Sequence, residues 1–156
     1  MDDFYKKYSV VLSKNFILTN VPEEETVFEV VADEFLDNEL STYMKNVKKL
    51  PEKKLAFIEG AGEWVISVII LPVICGIIKD YTTQLIKMGI KNIREYYNNK
   101  KNIEKDKDQL KIIMIDNCKK LKVDYEGIKA YEEKIIDTIL EHDEVLQSIF
   151  DKSKSK

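Results

Sequence analysis

The segment of residues 64–78 reads WVISVIILPVICGII and contains fifteen consecutive residues without a charged side chain. Gly60-Ala61-Gly62 precedes it, and Pro72 and Gly76 lie inside it. A helix that is apolar on every side must be buried completely, in protein or in lipid. Pro72 argues against a central β-strand, because proline cannot donate a hydrogen bond to a neighbouring strand. We therefore predict a buried helix, kinked at Pro72.

Pro72 and Gly76 also determine the hydrogen bonding of this helix. Pro72 lacks a backbone N–H, so a carbonyl about one turn earlier loses its helical partner. Gly76 loosens the same region, because glycine has a low helix propensity. The residues that define this core or membrane segment are Trp64, Ile69, Pro72 and Gly76.

Length and composition favour one helical domain. The chain has 156 residues, of which 44% are hydrophobic and 34% charged, as in a folded globular protein. Five Gly and three Pro are fewer turn residues than a β-sandwich or barrel of this length needs. We predict a mainly α fold over 1–156, a single-domain helical bundle around the apolar central helix, with a frayed tail at 152–156.

The N-terminal third contains one predicted helix and one open segment. Pro22 starts the helix, Glu23-Glu24-Glu25 complements its dipole, and the helix is expected to end near Leu50. Residues 1–20 fit two alternatives, because their apolar residues have partly helical spacing but also frame Lys14-Asn15 as the turn of a short hairpin.

The C-terminal half contains three predicted helical stretches. The central helix is expected to continue to about Tyr97, where the polar residues 98–102 form a loop. A second helix covers residues 110–121. Asp124 then caps a last helix, whose apolar stripe ends at Ile149.

The net charge of −3 is distributed unevenly along the chain. Residues 79–122 contain twelve Lys or Arg against six acids, whereas residues 1–50 contain six Lys against ten acids and residues 123–156 contain five Lys against nine acids. The simplest interpretation is that complementary charges face each other within one bundle. Nucleic-acid binding is disfavoured, because the chain has neither a strongly basic pI nor a recognised binding module.

The sequence contains none of the common local signatures of an enzyme. It lacks GxxxxGK[ST], GxGxxG, GxSxG and HExxH, and no CxxC joins Cys75 or Cys118 to another cysteine. His142 is the single histidine, and its position in an apolar stripe fits a boundary residue with a nitrogen near Glu141, Asp143 or solvent. We expect no enzymatic activity, no metal site and no cofactor.

Carboxylates four residues apart recur on the predicted helices, and chance explains most of them. The pairs are Glu29 with Asp33, Asp33 with Asp37, and Glu133 with Asp137. The Glu-x-x-His element that usually completes a di-metal site is absent.

Segment length separates a core helix from a membrane span. Fifteen helical residues reach about 22 Å, which is shorter than the roughly 30 Å hydrocarbon core of a bilayer. Residues 55–78 would reach across, but Glu59 and Glu63 would then lie in or near lipid, at a cost of about 2.5 to 3.5 kcal/mol each. A core helix is therefore preferred, although the basic block after Ile78 resembles a cytoplasmic flank.

These observations lead to two functional hypotheses. The first is a cytoplasmic, non-enzymatic protein that binds another protein as an inhibitor, immunity-type or regulatory factor, through acidic helical surfaces that include Glu29, Asp33 and Asp37. The alternative is a membrane-associated effector that inserts residues 55–78 into a bilayer. No signal peptide is predicted, because Met1-Asp2-Asp3 is acidic. The Lys-, Ile- and Asn-rich usage suggests a bacterial or phage source, and the oligomeric state is left open.

Overall fold

A computed structural model describes residues 3–48 and 66–154. Within these ranges the regular structure is helical, without a strand, which confirms the predicted mainly α bundle. Two 3-10 turns, Pro22–Glu24 and Lys129–Tyr131, join consecutive helices. The helices are α1 Asp3–Asn20, α2 Glu25–Asp37, α3 Leu40–Lys48, α4 Ile66–Lys87, α5 Ile93–Tyr97, α6 Lys100–Leu121, α7 Tyr125–Ile128, α8 Glu132–Glu141 and α9 Asp143–Lys154.

Helix α4 lies at the centre of the bundle. Helices α1, α2, α6 and α9 all pack against it. Every residue from Ile66 to Cys75 is buried, and so are Ile77, Ile78 and Tyr81. This burial on all sides agrees with the uncharged sequence, because no face of the helix is polar enough to meet water.

Residues 3–20 form a helix, and the hairpin alternative is wrong. Tyr5, Ser9, Leu12 and Phe16 are buried and recur at intervals of three and four residues. They therefore share one helical face, which packs on α4. Lys14-Asn15, the candidate hairpin turn, lies inside α1.

The helix predicted from Pro22 to Leu50 is interrupted at Asn38. Asn38 has an extended backbone, with φ −119° and ψ 155°. Its side chain donates to the Glu34 carbonyl at 2.8 Å, and its own carbonyl accepts from Lys6 at 2.5 Å. Asn38 competes in this way with the helical hydrogen bonds, so α2 ends at Asp37.

The central helix ends ten residues earlier than predicted. Gly89 has φ +80°, and its N–H donates to the Ile86 carbonyl at 3.0 Å. A residue in the left-handed region after a helix terminates it, and glycine adopts that conformation without strain. The predicted loop at 98–102 is also shorter, because the Asn99 side chain accepts from the Lys101 N–H and starts α6 at Lys100.

The predicted last helix is divided into α7, α8 and α9. The Asp124 cap is confirmed, since its side chain accepts from the Glu126 N–H at 3.1 Å. A 3-10 turn separates α7 from α8, and His142 separates α8 from α9. The apolar stripe survives these breaks: Ile128, Ile135, Ile139, Leu146 and Ile149 are all buried.

Gly76 allows α6 to approach α4 closely. A β-carbon at Gly76 would lie 2.0 Å from Oδ1 and 2.7 Å from Cγ of Asn117. Asn117 is held in place, because its Nδ2 donates to Asp80 at 3.0 Å and to the Ile113 carbonyl at 2.9 Å. A side chain at position 76 would therefore displace Asn117 and break these hydrogen bonds.

We predict that Gly76→Ala destabilises the fold by about 1 to 2 kcal/mol, because overpacking outweighs the gain in helix propensity. Urea unfolding followed by circular dichroism measures the change. Gly127→Ala is the matched control, since a β-carbon there meets no atom within 4 Å. Equal stability of Gly76→Ala and the wild type would contradict the close approach of the two helices.

Candidate functional site

The first described turn of α4 is capped by a carboxylate from another part of the chain. Glu24, in the turn before α2, is 7% exposed. It accepts from the N–H groups of Ile66 and Ser67 at 3.1 and 2.9 Å, and from the Ser67 hydroxyl at 2.8 Å. Carboxylates are favourable at the positive end of a helix dipole. The sequence assigned Glu24 to the dipole of its own helix, whereas the structure shows that it serves α4.

Pro72 has the hydrogen-bond consequence that the sequence predicted. The carbonyl four residues earlier belongs to Val68, and it accepts from the Tyr43 hydroxyl at 2.5 Å. Burial, with the charge of Glu34 as a smaller cause, raises the pKa of Tyr43, so this hydroxyl stays a donor. The Ser9 hydroxyl donates to the Leu71 carbonyl at 2.7 Å in the same region. The kink itself stays a prediction.

The residues predicted to mark the core or membrane segment lie in this central helix or before it. Ile69 and Pro72 are buried in α4, and Gly76 faces α6. Trp64 lies outside the described residues, as do Glu59 and Glu63. Among the described helices, α4 alone is long and apolar enough to cross a membrane, with a mean hydropathy of 1.6 over 18 residues. Within the bundle, 78% of that stretch is buried.

The predicted partner-binding residues share the outer face of α2. Glu29, Asp33 and Asp37 are all exposed, and at 100° per residue they fall within about 80° of the helix circumference. Val30 and Leu36 flank them and are 64% and 40% exposed. We call these five residues the acidic face. Its carboxylates belong to one surface, as the sequence predicted.

Helix α2 also has charges at an unfavourable end. Glu34 and Asp37 lie near its C-terminus, and its last turn contains no basic residue. Negative charges there oppose the helix dipole, whose negative pole is at the C-terminus. The distribution therefore does not serve the stability of α2.

Few of the ion pairs that the structure describes join an acidic block to the basic block. Within the described ranges, Arg94–Asp143, at 3.6 Å, joins the basic block to the acidic C-terminal block. The pairs Lys14–Glu29, Glu104–Lys107, Asp80–Lys120 and Asp116–Lys120 each lie inside a single block. Most of the ion pairs that the structure describes therefore do not join oppositely charged blocks, and the predicted charge complementarity between blocks stays a prediction.

A mixed-charge groove of about 410 Å³ lies between α6 and α8. Glu133 and Asp137 line it together with Glu104 and Asp108, so one predicted carboxylate pair does face a second helix. Lys105, Lys107 and Lys111 line the same groove. In residues 3–48 and 66–154, no group of three or more His, Cys, Asp or Glu side chains is arranged to hold a metal ion.

A buried polar cluster joins α4, α5 and α6. Asp106 is 2% exposed and accepts from Tyr81 at 2.5 Å and from Tyr96 at 3.0 Å. Since the Tyr81 proton points to Asp106, the Tyr97 hydroxyl donates to Tyr81, also at 2.5 Å. Burial is the main cause that raises the pKa of Tyr81, of Tyr97 and of Tyr96, the last to about 12. The sequence prediction ended the central helix near Tyr97 and gave no role to Asp106, although Asp106 lies four residues before Leu110 and therefore in line with the buried residues of α6.

The thiols and the histidine have structural environments. Burial raises the pKa of Cys75 and of Cys118 to about 11, so little thiolate is present at neutral pH. Both cysteines are free and buried. His142 Nδ1 donates to the Thr138 carbonyl at 2.6 Å, rather than to the neighbouring acids that the sequence suggested. This hydrogen bond holds the imidazole at the end of α8. The thiols are unactivated because burial keeps them protonated.

Comparison of the chain with protein-family models, with curated proteins and with solved structures gives no match. The case for a function therefore rests on the surfaces and contacts described above.

We predict that Tyr43→Phe destabilises the protein by about 1 to 3 kcal/mol, because it leaves the buried Val68 carbonyl unsatisfied. Pro72→Ala restores an N–H that can donate to this carbonyl, so Tyr43→Phe should cost about 1 kcal/mol less in the Pro72→Ala background. Urea unfolding of the four proteins in this double-mutant cycle measures the difference.

Tyr131→Phe provides the control for loss of a hydroxyl. Tyr131 packs edge-on against Phe16, and within the described ranges no hydrogen bond of its hydroxyl is found. A Tyr43→Phe effect that is the same in the wild-type and Pro72→Ala backgrounds would contradict the role assigned to the hydroxyl.

Proposed function

We propose that the chain is a non-enzymatic protein that binds another protein through the acidic face of α2 and acts as an inhibitor, immunity-type or regulatory factor. The observation that carries the proposal is the conflict at the C-terminus of α2. Exposed carboxylates occupy the end of the helix where they are least favourable. Residues that weaken local structure without a folding role are typical of functional surfaces.

The apolar members of the acidic face support the same proposal. Val30 is the most exposed of the large hydrophobic side chains in the described residues, and Leu36 lies on the opposite edge of the carboxylates. Protein interfaces combine apolar contact with charges that steer association and fix orientation. The matching partner would present a basic surface with shallow apolar depressions.

Lys14 gives the acidic face a partial internal counter-ion. Its Nζ lies 2.9 Å from Oε1 of Glu29, and both side chains are about half exposed. Hydrogen bonding to Glu29, and then its charge, raises the pKa of Lys14. An exposed pair of this kind contributes little to stability, so a basic partner can replace Lys14 at small cost.

We predict that Asp33→Asn/Asp37→Asn weakens partner binding by tenfold or more while folding stability stays equal or rises slightly. Both changes remove exposed negative charge, and the loss of Asp37 also relieves the unfavourable dipole interaction. The full chain is used to capture partners from cells of its source, the captured protein is purified, and its affinity is measured at two salt concentrations. Thermal unfolding measures stability in parallel.

Glu126→Gln/Glu141→Gln is the matched control, because it removes the same charge from exposed positions on α7 and α8. The control should bind the purified partner like the wild type. Equal affinity of all three proteins would contradict the assignment of the acidic face. A demonstrated turnover activity that Asp33→Asn/Asp37→Asn leaves intact would contradict the non-enzymatic proposal.

The length and hydropathy of α4 favour a second proposal, in which a membrane-associated effector inserts residues 55–78. Insertion would require α4 to lose its hydrogen bonds to Glu24 and those it accepts from Tyr43 and Ser9. An inserted helix resists extraction from vesicles by high salt and by alkaline carbonate, because its binding is hydrophobic. If the bundle stays closed on the membrane surface, we expect this treatment to release the protein from the vesicles. Protein that stays with the vesicles after the treatment would establish insertion.

A further inference from the structure

The connection between α4 and α6 presents a second charged surface, distinct from the acidic face. Residues 87–101 contain five basic side chains and one acid, Glu95. Glu95 and all five basic residues are exposed, and so is Met88. We call Lys87, Met88, Lys91, Arg94, Lys100 and Lys101 the basic cap. Within residues 3–48 and 66–154, its four lysines have no carboxylate within 4 Å, whereas Arg94 lies 3.6 Å from Asp143.

The basic cap is held in one conformation by contacts on its inner side. Ile93 is fully buried, and its N–H donates to the Gln147 side chain at 2.7 Å. Tyr96 and Tyr97 point their hydroxyls into the Asp106 cluster. The Asn102 side chain donates to the Tyr96 carbonyl at 2.7 Å, which ties the connection to α6. The lysines therefore extend from a preorganised base.

The exposed apolar residue of the basic cap lies among its lysines. Met88 is 47% exposed and lies between Lys87 and Gly89, directly after the end of α4. A flexible, unbranched apolar side chain beside lysines suits the boundary between lipid headgroups and acyl chains. Lysines near an anionic bilayer each strengthen binding, and exposed positions on a rigid base allow several of them to act together.

Two observations argue against a nucleic acid as the partner. Single-stranded nucleic acids stack on aromatic faces, but Tyr96 and Tyr97 are only partly exposed and are anchored in the polar cluster. Arg94 is the cap's one guanidinium group, with its Nε 3.6 Å from Asp143, so the cap offers at most one bidentate contact to phosphate. Four lysines beside one exposed methionine fit a diffuse anionic surface better than they fit a nucleic-acid strand.

We propose that the basic cap docks the closed bundle reversibly on an anionic lipid bilayer. The lysines interact with the headgroups and Met88 enters the headgroup region, while α4 keeps its place in the core. The cap adjoins the C-terminus of α4, and the attached bundle therefore contacts the membrane with one end. This surface is independent of the acidic face, so the two functions can fail separately.

Flotation of the full chain with vesicles tests the proposal. Phosphatidylcholine vesicles that contain phosphatidylserine should bind the protein at low salt, release it at high salt, and bind far better than vesicles of phosphatidylcholine alone. Lys91→Gln/Lys100→Gln should weaken binding roughly 25-fold, since each lysine contributes about fivefold. Met88→Ser should also weaken binding, and its effect should persist when salt is raised moderately.

The control Lys129→Gln/Lys134→Gln removes the same charge from exposed positions elsewhere and should bind like the wild type. Circular dichroism verifies that each variant is folded, and within residues 3–48 and 66–154 the side chains of Lys91 and Lys100 make no hydrogen bond or ion pair. Equal binding of Lys91→Gln/Lys100→Gln and its control would overturn the proposal, as would binding that survives high salt. It would also be overturned by a short single-stranded RNA that binds the cap while anionic vesicles do not, or by salt-sensitive self-association in place of lipid binding.

Discussion

The burial of α4 is the constraint on which the rest of the bundle depends. A helix without a polar face cannot lie at a surface, so four other helices must cover it. The same helix contains a proline, and therefore it has an acceptor that no neighbour in its own turn can satisfy. Tyr43 donates to this acceptor, Ser9 donates to a second carbonyl of α4, and Glu24 accepts from the first described turn of α4. Because the three residues belong to three different elements, the N-terminal half must be folded for the core helix to keep these hydrogen bonds. Specific hydrogen bonds thus fix the orientation of a helix that hydrophobic burial alone would leave free to rotate.

The sequence predicts the central features of this architecture but not its boundaries. Hydrophobic periodicity identifies the buried helix, and the missing N–H of Pro72 indicates which carbonyl needs a partner. The identity of that partner, Tyr43, depends on how α3 packs, which no local pattern contains. The breaks at Asn38 and His142 are not predicted, because the apolar stripe continues through them. Gly89 and Asn99, in contrast, are residue types that commonly cap helices, so the end of α4 and the start of α6 can be predicted from local sequence.

The candidate surfaces also contain features that the sequence predicts and features that only the structure shows. Glu29, Asp33 and Asp37 could be placed on one face from helical spacing alone, since α2 is regular over this stretch. The exposure of Val30 and Leu36 required the structure, because their spacing is equally consistent with a core position. The proximity of Asp106 to three tyrosines could not be predicted, since Tyr81 is separated from Tyr97 by the turn at Gly89. The two ends of α4 also differ in charge, because the carboxylate of Glu24 lies at its first described turn and the basic cap begins at its C-terminus, about 33 Å away along the helix.

Each residue of the contact between Gly76 and Asn117 has a buried cysteine as its neighbour in sequence, Cys75 on α4 and Cys118 on α6. Both thiols are shielded from solvent, and their raised pKa values keep them protonated at neutral pH. A thiol-specific reagent can therefore modify either of them only during an opening of the bundle that exposes it. The labelling rate of the wild-type protein thus reports how often the bundle opens around these two buried positions, without an introduced probe.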